Sequence, residues 1–135
     1  MFKYIHKYFT NVNINININH EKLSIQKSYT YDSWNKIENG QVRFDVHINN
    51  QHLGFVDFRN STGQIGIIEV KEEYRKQGIA NFMLLRVEKE LLKNNVKKLW
   101  CVCSQDHYFW SKQKNYIYNT RPHESVTGHG YSKKI

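Results

Sequence analysis

The hexapeptide Arg75-Lys76-Gln77-Gly78-Ile79-Ala80 stands between an apolar stretch, QIGIIEV, and a long amphipathic one, and its residue types suit anion chemistry. A glycine at the start of a helix lets a ligand approach the backbone closely, and the free amides of a first helical turn attract negative charge. Arg75 and Lys76 add two cations to the same place. By itself the hexapeptide reads equally well as an ordinary strand-to-helix connection, so the elements around it must decide. Other reactive groups flank it: Glu69 ahead, then Cys101, Cys103, His107 and Tyr108 behind. The seven histidines are scattered without ligand spacing, and no metal centre is expected.

The elements that would position this loop can be read from periodicity. QVRFDVHI, residues 41–48, alternates Val42, Phe44, Val46 and Ile48 with polar residues, Asn49-Asn50 supplies a turn, and HLGFVDF returns as the second arm of a hairpin. Residues 60–63 make the next turn. QIGIIEV is so nearly continuous in apolar residues that it reads as a more completely buried strand. After the loop, Ala80, Met83, Leu84, Val87 and Leu91 fall on one helical face, and Asn94-Asn95 mark the stop. VKKLWCVC follows as a strand. Strand, loop, helix, strand implies a parallel pair joined by a right-handed crossover. HYFWSKQ then reads as one or two turns of helix and NYIYNT as a last strand. The fold class is therefore α/β (α+β): an antiparallel N-terminal meander, with residues 23–29 as a further strand, followed by a strand-helix-strand crossover.

Composition sets outer bounds. A chain of 135 residues with 39% apolar and 14% aromatic side chains is long enough to pack one core and too short for two. Its net charge of +8 fits anionic partners, nucleic acid among them, or simply a lysine-rich solvated face. Cys101 and Cys103 would point to opposite sides of a strand, which argues against a disulfide and for a reducing, intracellular and cytoplasmic setting. No apolar run is as long as a membrane span. The first 20 residues contain no acid and mix Lys3, His6 and Lys7 with aromatics, in the manner of an organelle transit segment, yet they lack Arg and have little Ser. NVNINININH, residues 11–20, alternates as an edge strand would. Residues 1–21 are therefore expected to be an N-terminal extension, dispensable and outside any ligand site, ahead of a domain spanning 22–135.

With that order of elements, the hexapeptide resembles the Arg/Gln-x-x-Gly-x-Gly/Ala signature of the GNAT family of N-acetyltransferases, with Ala80 in place of the second glycine. The short, single-module members are the nearest likeness, over residues 41–118: Glu69-Val70 precedes the signature, and Cys103 and Tyr116 stand at the expected separation. The resemblance implies a GNAT-like mixed sheet, with acetyl-CoA as cofactor and an amine as acceptor. Val70 would end the strand that pairs with the pantetheine arm, and Arg75, Lys76, Gln77, Gly78, Ile79 and Ala80 would cradle the phosphates.

Amine acetylation also needs a base, and proton donation to the departing thiolate. Glu69 can take a proton from the amine if its strand is buried, or can be an edge carboxylate paired with Lys or Arg. Cys103 can form an acetyl-enzyme or can pack as a small hydrophobe. Tyr108, or secondarily His107, can protonate the thiolate or lie on the surface of its helix. Several positions depart from the short members: Ile67 stands where they often carry His, Lys71-Glu72 replaces Pro-Pro, Lys114 replaces Pro, and Phe109 stands where their helix has Tyr. Gln64 cannot serve as the base that longer members often place near the start of this strand. These departures keep open an alternative, a catalytically degenerate GNAT-fold binding module that contacts nucleic acid or protein through its basic surface. The acceptor and the oligomeric state are not encoded in any motif.

Overall fold

In the computed structural model, residues 18–31, 37–102 and 107–135 are described. Seven strands, two α-helices and two 3-10 turns are found among them. The first sheet is antiparallel in chain order, with β1 (Ser24–Tyr31), β2 (Ile37–Ile48), β3 (Gln51–Arg59) and β4 (Ile65–Val70) side by side. The second sheet, in the order β5-β7-β6, contains β5 (Lys98–Val102), β6 (Ile117–Asn119) and β7 (Gly130–Lys134). Along the chain α1 (Ile79–Lys93) links β4 to β5, and α2 (His107–Ser111) follows β5.

Alternation in β2 and β3 has the expected result. Val42, Phe44 and Val46 pair with Phe58, Val56 and Gly54, and this face of the sheet is buried. Met83, Leu84, Val87 and Leu91 of α1 join it in one core, as the spacing of these residues on a helix requires. Asn49 and Asn50 both have positive φ, 48° and 67°, the geometry of a two-residue hairpin turn that Asn tolerates. Asn94 ends α1 with its amide bonded to Leu91 O and Leu92 O. The opposite face of the sheet has a different chemistry. Arg43 Nε and Nη2 lie 2.7 and 2.8 Å from the two carboxylate oxygens of Asp57, which is buried, and the guanidinium sits 4.2 Å from the centre of the Phe55 ring.

Two strands differ from the sequence reading. β4 was expected to be more completely buried, but Gly66, Ile67 and Glu69 are exposed, with Ile67 at 54%. The reason is topological: α1 covers only one face of the sheet, and from Gly66 onward β4 has β3 on one side and no strand on the other among the described residues. β7 was not anticipated at all, yet it is the central strand of its sheet, pairing with β5 from Lys98↔Lys134 to Val102↔Gly130. In GYSKK only Tyr131 is a large apolar residue, so no alternation announces a strand.

The two sheets meet at one place. Gln64 and Trp100 form a parallel bridge between the start of β4 and the middle of β5. Gly63 makes this approach possible: its φ is +80°, and a Cβ there would lie 1.9 Å from Lys98 O. Beyond the bridge the strands pair no further, so β4 and β5 diverge toward the end at which the hexapeptide sits. No helix among the described residues is long and apolar enough to cross a membrane.

Candidate functional site

The hexapeptide turns the chain from β4 into α1. Lys76 and Gly78 both adopt left-handed backbone, with φ of 63° and 78°, and Gly78 is the residue that caps the helix N-terminus. It has no side chain to satisfy the helix, and no acidic residue occupies the first turn. The amides of Ile79, Ala80 and Asn81 precede the first intrahelical bond, which runs from Phe82 N to Gly78 O, and they make this helix end electropositive. Arg75 Nε donates to Val70 O at 2.8 Å, so the signature is fastened to the last residue of β4. Val70 itself is half-buried on the face toward α1, in contact with the core.

The N-terminal segment reaches this loop. Ile18 N donates to Gln77 Oε1 at 3.2 Å, and His20 Nε2 lies 2.6 Å from Gln77 O. The His20 ring stands over Gly78, where Cε1 would be 2.9 Å from an added Cβ, and meets the Phe82 ring edge-on at 6.1 Å. Ile18 also packs against the main core. Sequence reasoning assigned these residues to an extension, and no periodicity could have disclosed a contact 57 residues away. The rest of that segment, 1–17, lies outside the described residues, and with it most of the expected edge strand.

The remaining candidates are less closely gathered. Glu69 projects from β4 on the face away from α1, opposite Phe55, and is exposed rather than beside buried neighbours. Cys103 follows the last residue of β5 and lies outside the described residues, whereas Cys101 is buried beneath the second sheet at 3% exposure. Tyr108, on α2, is 77% exposed, with Lys112 Nζ 5.2 Å from its ring. A tyrosine that the site reading had not assigned a role is more unusual. The Tyr116 hydroxyl is buried with no hydrogen-bond partner among the described residues, and burial, followed by the Glu88 carboxylate, pushes it far above the ordinary tyrosine range. Among the described residues no three His, Cys, Asp or Glu side chains gather as a metal site would require.

A splayed strand pair with a glycine-capped helix at its mouth defines a class, and the comparisons agree with it. The sequence profile of the acetyltransferase (GNAT) family matches residues 13–132, and the chain belongs to that family. Solved structures share the fold. A GNAT-family acetyltransferase from Staphylococcus aureus superposes with a TM-score of 0.60 at 16% identity, covering 71% of this chain and 68% of that one. A Klebsiella pneumoniae protein that carries the name of an acyl-CoA N-acyltransferase gives 0.66 at 10% identity, covering 84% and 97%. The PaiA N-acetyltransferase of Thermoplasma acidophilum, solved with coenzyme A, gives 0.57 at 14% identity, covering 69% and 60%. The chain spans 62% of a further neighbour, from Rhodopseudomonas palustris. No protein of curated function matches the sequence.

Proposed function

We propose that the protein is an acetyl-CoA-dependent N-acetyltransferase acting on an amine. The observation that carries this reading is the divergence of β4 from β5 beyond Gln64–Trp100, with the Arg75–Ala80 loop and the open N-terminus of α1 at its mouth. The residues present fit the cofactor. Gly78 in left-handed conformation, the first-turn amides and the neighbouring Arg75 and Lys76 suit a diphosphate. The unpaired edge of β4 suits an extended amide-bearing arm, which can bond to it as a strand would.

Acetyl-CoA, when bound, supplies an activated thioester. The chain's own groups would then have defined tasks: Glu69 would take the proton that the amine loses, and Tyr108 would supply the proton that the departing thiolate needs. Cys103 is the candidate for an alternative route in which the acetyl group is held first by the protein. The exposure of Glu69 favours an acceptor that itself brings a positive charge or closes over the uncovered sheet face.

Titration calorimetry with acetyl-CoA tests the reading. Micromolar binding by the wild type and its loss in Gly78→Glu, with the fold retained by circular dichroism, are expected. No heat from the wild type overturns the proposal. Intact mass after incubation with acetyl-CoA examines Cys103: a single acetyl adduct absent from Cys103→Ala supports the covalent route, and no adduct leaves direct transfer.

A further inference from the structure

We infer that His20 is a ligand for the coenzyme's phosphates, delivered to the nucleotide loop by the N-terminal segment. This rests on the acetyl-CoA reading above and adds to it a residue from outside the signature. A carbonyl oxygen can only accept, so the 2.6 Å contact with Gln77 O places a hydrogen on His20 Nε2. Nδ1 is thereby the nitrogen left for another partner. When the ring is a cation, Nδ1 donates as well, and a phosphate oxygen is the acceptor that the neighbourhood invites.

The ring does not compete with a phosphate for the same atoms. It is anchored to a carbonyl, which repels phosphate, whereas the amides of Ile79, Ala80 and Asn81 precede the first intrahelical bond of α1. The anchoring is doubled, because Ile18 N holds the Gln77 side chain while His20 holds its main chain. Contact with the Phe82 ring limits the imidazole's freedom to swing away. The charged groups around it are Glu21 and Lys22 on its own segment, Arg75 and Lys76 on the loop, and Arg86, whose guanidinium lies 5.9 Å from the Phe82 ring on α1. Four of these five are cations, so an anion is the partner that this neighbourhood attracts.

Two measurements on the full chain test this. In calorimetry with coenzyme A, His20→Ala is expected to raise Kd about fivefold to tenfold, the scale of one partly exposed charge-assisted hydrogen bond. His20→Gln keeps a donor for Gln77 O and lacks the cation, so it should lose nearly as much. In 15N spectra at neutral pH, the Nδ1 resonance absent from His20→Gln should shift on saturation with coenzyme A. His20 is exposed, so these variants should fold, which melting curves check. An unchanged or lower Kd in His20→Ala, or an Nδ1 signal indifferent to coenzyme A that binds the wild type, overturns the inference and leaves the acetyltransferase reading intact. Absence of binding by the wild type overturns both.

Discussion

Trp100 is held to the strand beside it by more than its bridge with Gln64. Its amide donates to Gly63 O at 3.1 Å, and its indole Nε1 donates to Thr62 O at 2.9 Å. The indole is 1% exposed and stacks on His123, with ring centres 4.5 Å apart. One side chain thus carries much of the joint between the two sheets. Trp100→Ala should cost about 3–5 kcal/mol in urea unfolding. Trp100→Phe keeps most of the packing and should cost less than half as much; equal losses would mean that the indole N–H, and not its volume, makes the joint.

The Arg43–Asp57 pair predicts an asymmetry. Asp57 is buried, whereas the Arg43 side chain is 42% exposed. Removing the guanidinium strands a carboxylate, and removing the carboxylate leaves a cation that water can reach. Arg43→Met should therefore destabilise by about 3 kcal/mol and Asp57→Asn by about 1 kcal/mol. Chemical denaturation of the two variants in parallel would reveal the order, and a reversed order would refute the argument.

Stability should fall on the alkaline side through Tyr116. Burial, then Glu88, raises this hydroxyl above its ordinary value of 10.0, so the folded protein keeps a proton that the unfolded chain gives up. Its contribution is complete below pH 10.0 and is lost progressively as the pH rises beyond it. Tyr116→Phe should remove this part of the alkaline slope. Because the hydroxyl has no partner, the same variant should gain about 1 kcal/mol at neutral pH. Melting temperatures across the alkaline range would check both, and a destabilised Phe variant would show that the hydroxyl is satisfied in solution.

Gly78 and His20 should be coupled. An alanine at Gly78 meets two costs, a left-handed backbone worth about 1 kcal/mol and a ring 2.9 Å from its Cβ. His20→Ala removes the second cost only. In a double-mutant cycle, Gly78→Ala should be milder by about 0.5 kcal/mol or more when His20 is already alanine. Strict additivity would separate the ring from the glycine.

Much of the scaffold was legible in the sequence because short-range physics determined it. The β2–β3 hairpin follows from strict alternation and two turn asparagines, and α1 follows from Met83, Leu84, Val87 and Leu91 ahead of an asparagine stop. The loop was legible for the same reason, a glycine exactly at a strand-to-helix junction being a local signal. Reading failed where burial depends on what lies opposite. A run such as IGIIEV states how apolar a strand is but not whether its second face is covered. Of the candidate site, the glycine at the N-terminus of α1 could be anticipated, whereas the seating of His20 over Gly78 comes from tertiary docking and leaves no periodic trace.

The bare edge of β4 also has a bearing on how the protein behaves in concentrated solution. Among the described residues no second strand pairs with β4 from Gly66 onward, and backbone groups without a strand partner are templates for joining sheets from separate molecules; the exposed Ile67 adds an adhesive side chain to this margin. Lys71 immediately follows the strand and Arg75 is bonded to its last carbonyl, so cations guard only one end of the five residues from Gly66 to Val70. A ligand lying along the margin would shield it. Colloidal stability and occupancy would then be one property: the empty protein should be the form inclined to stick to itself, and storage with coenzyme A should keep it dispersed.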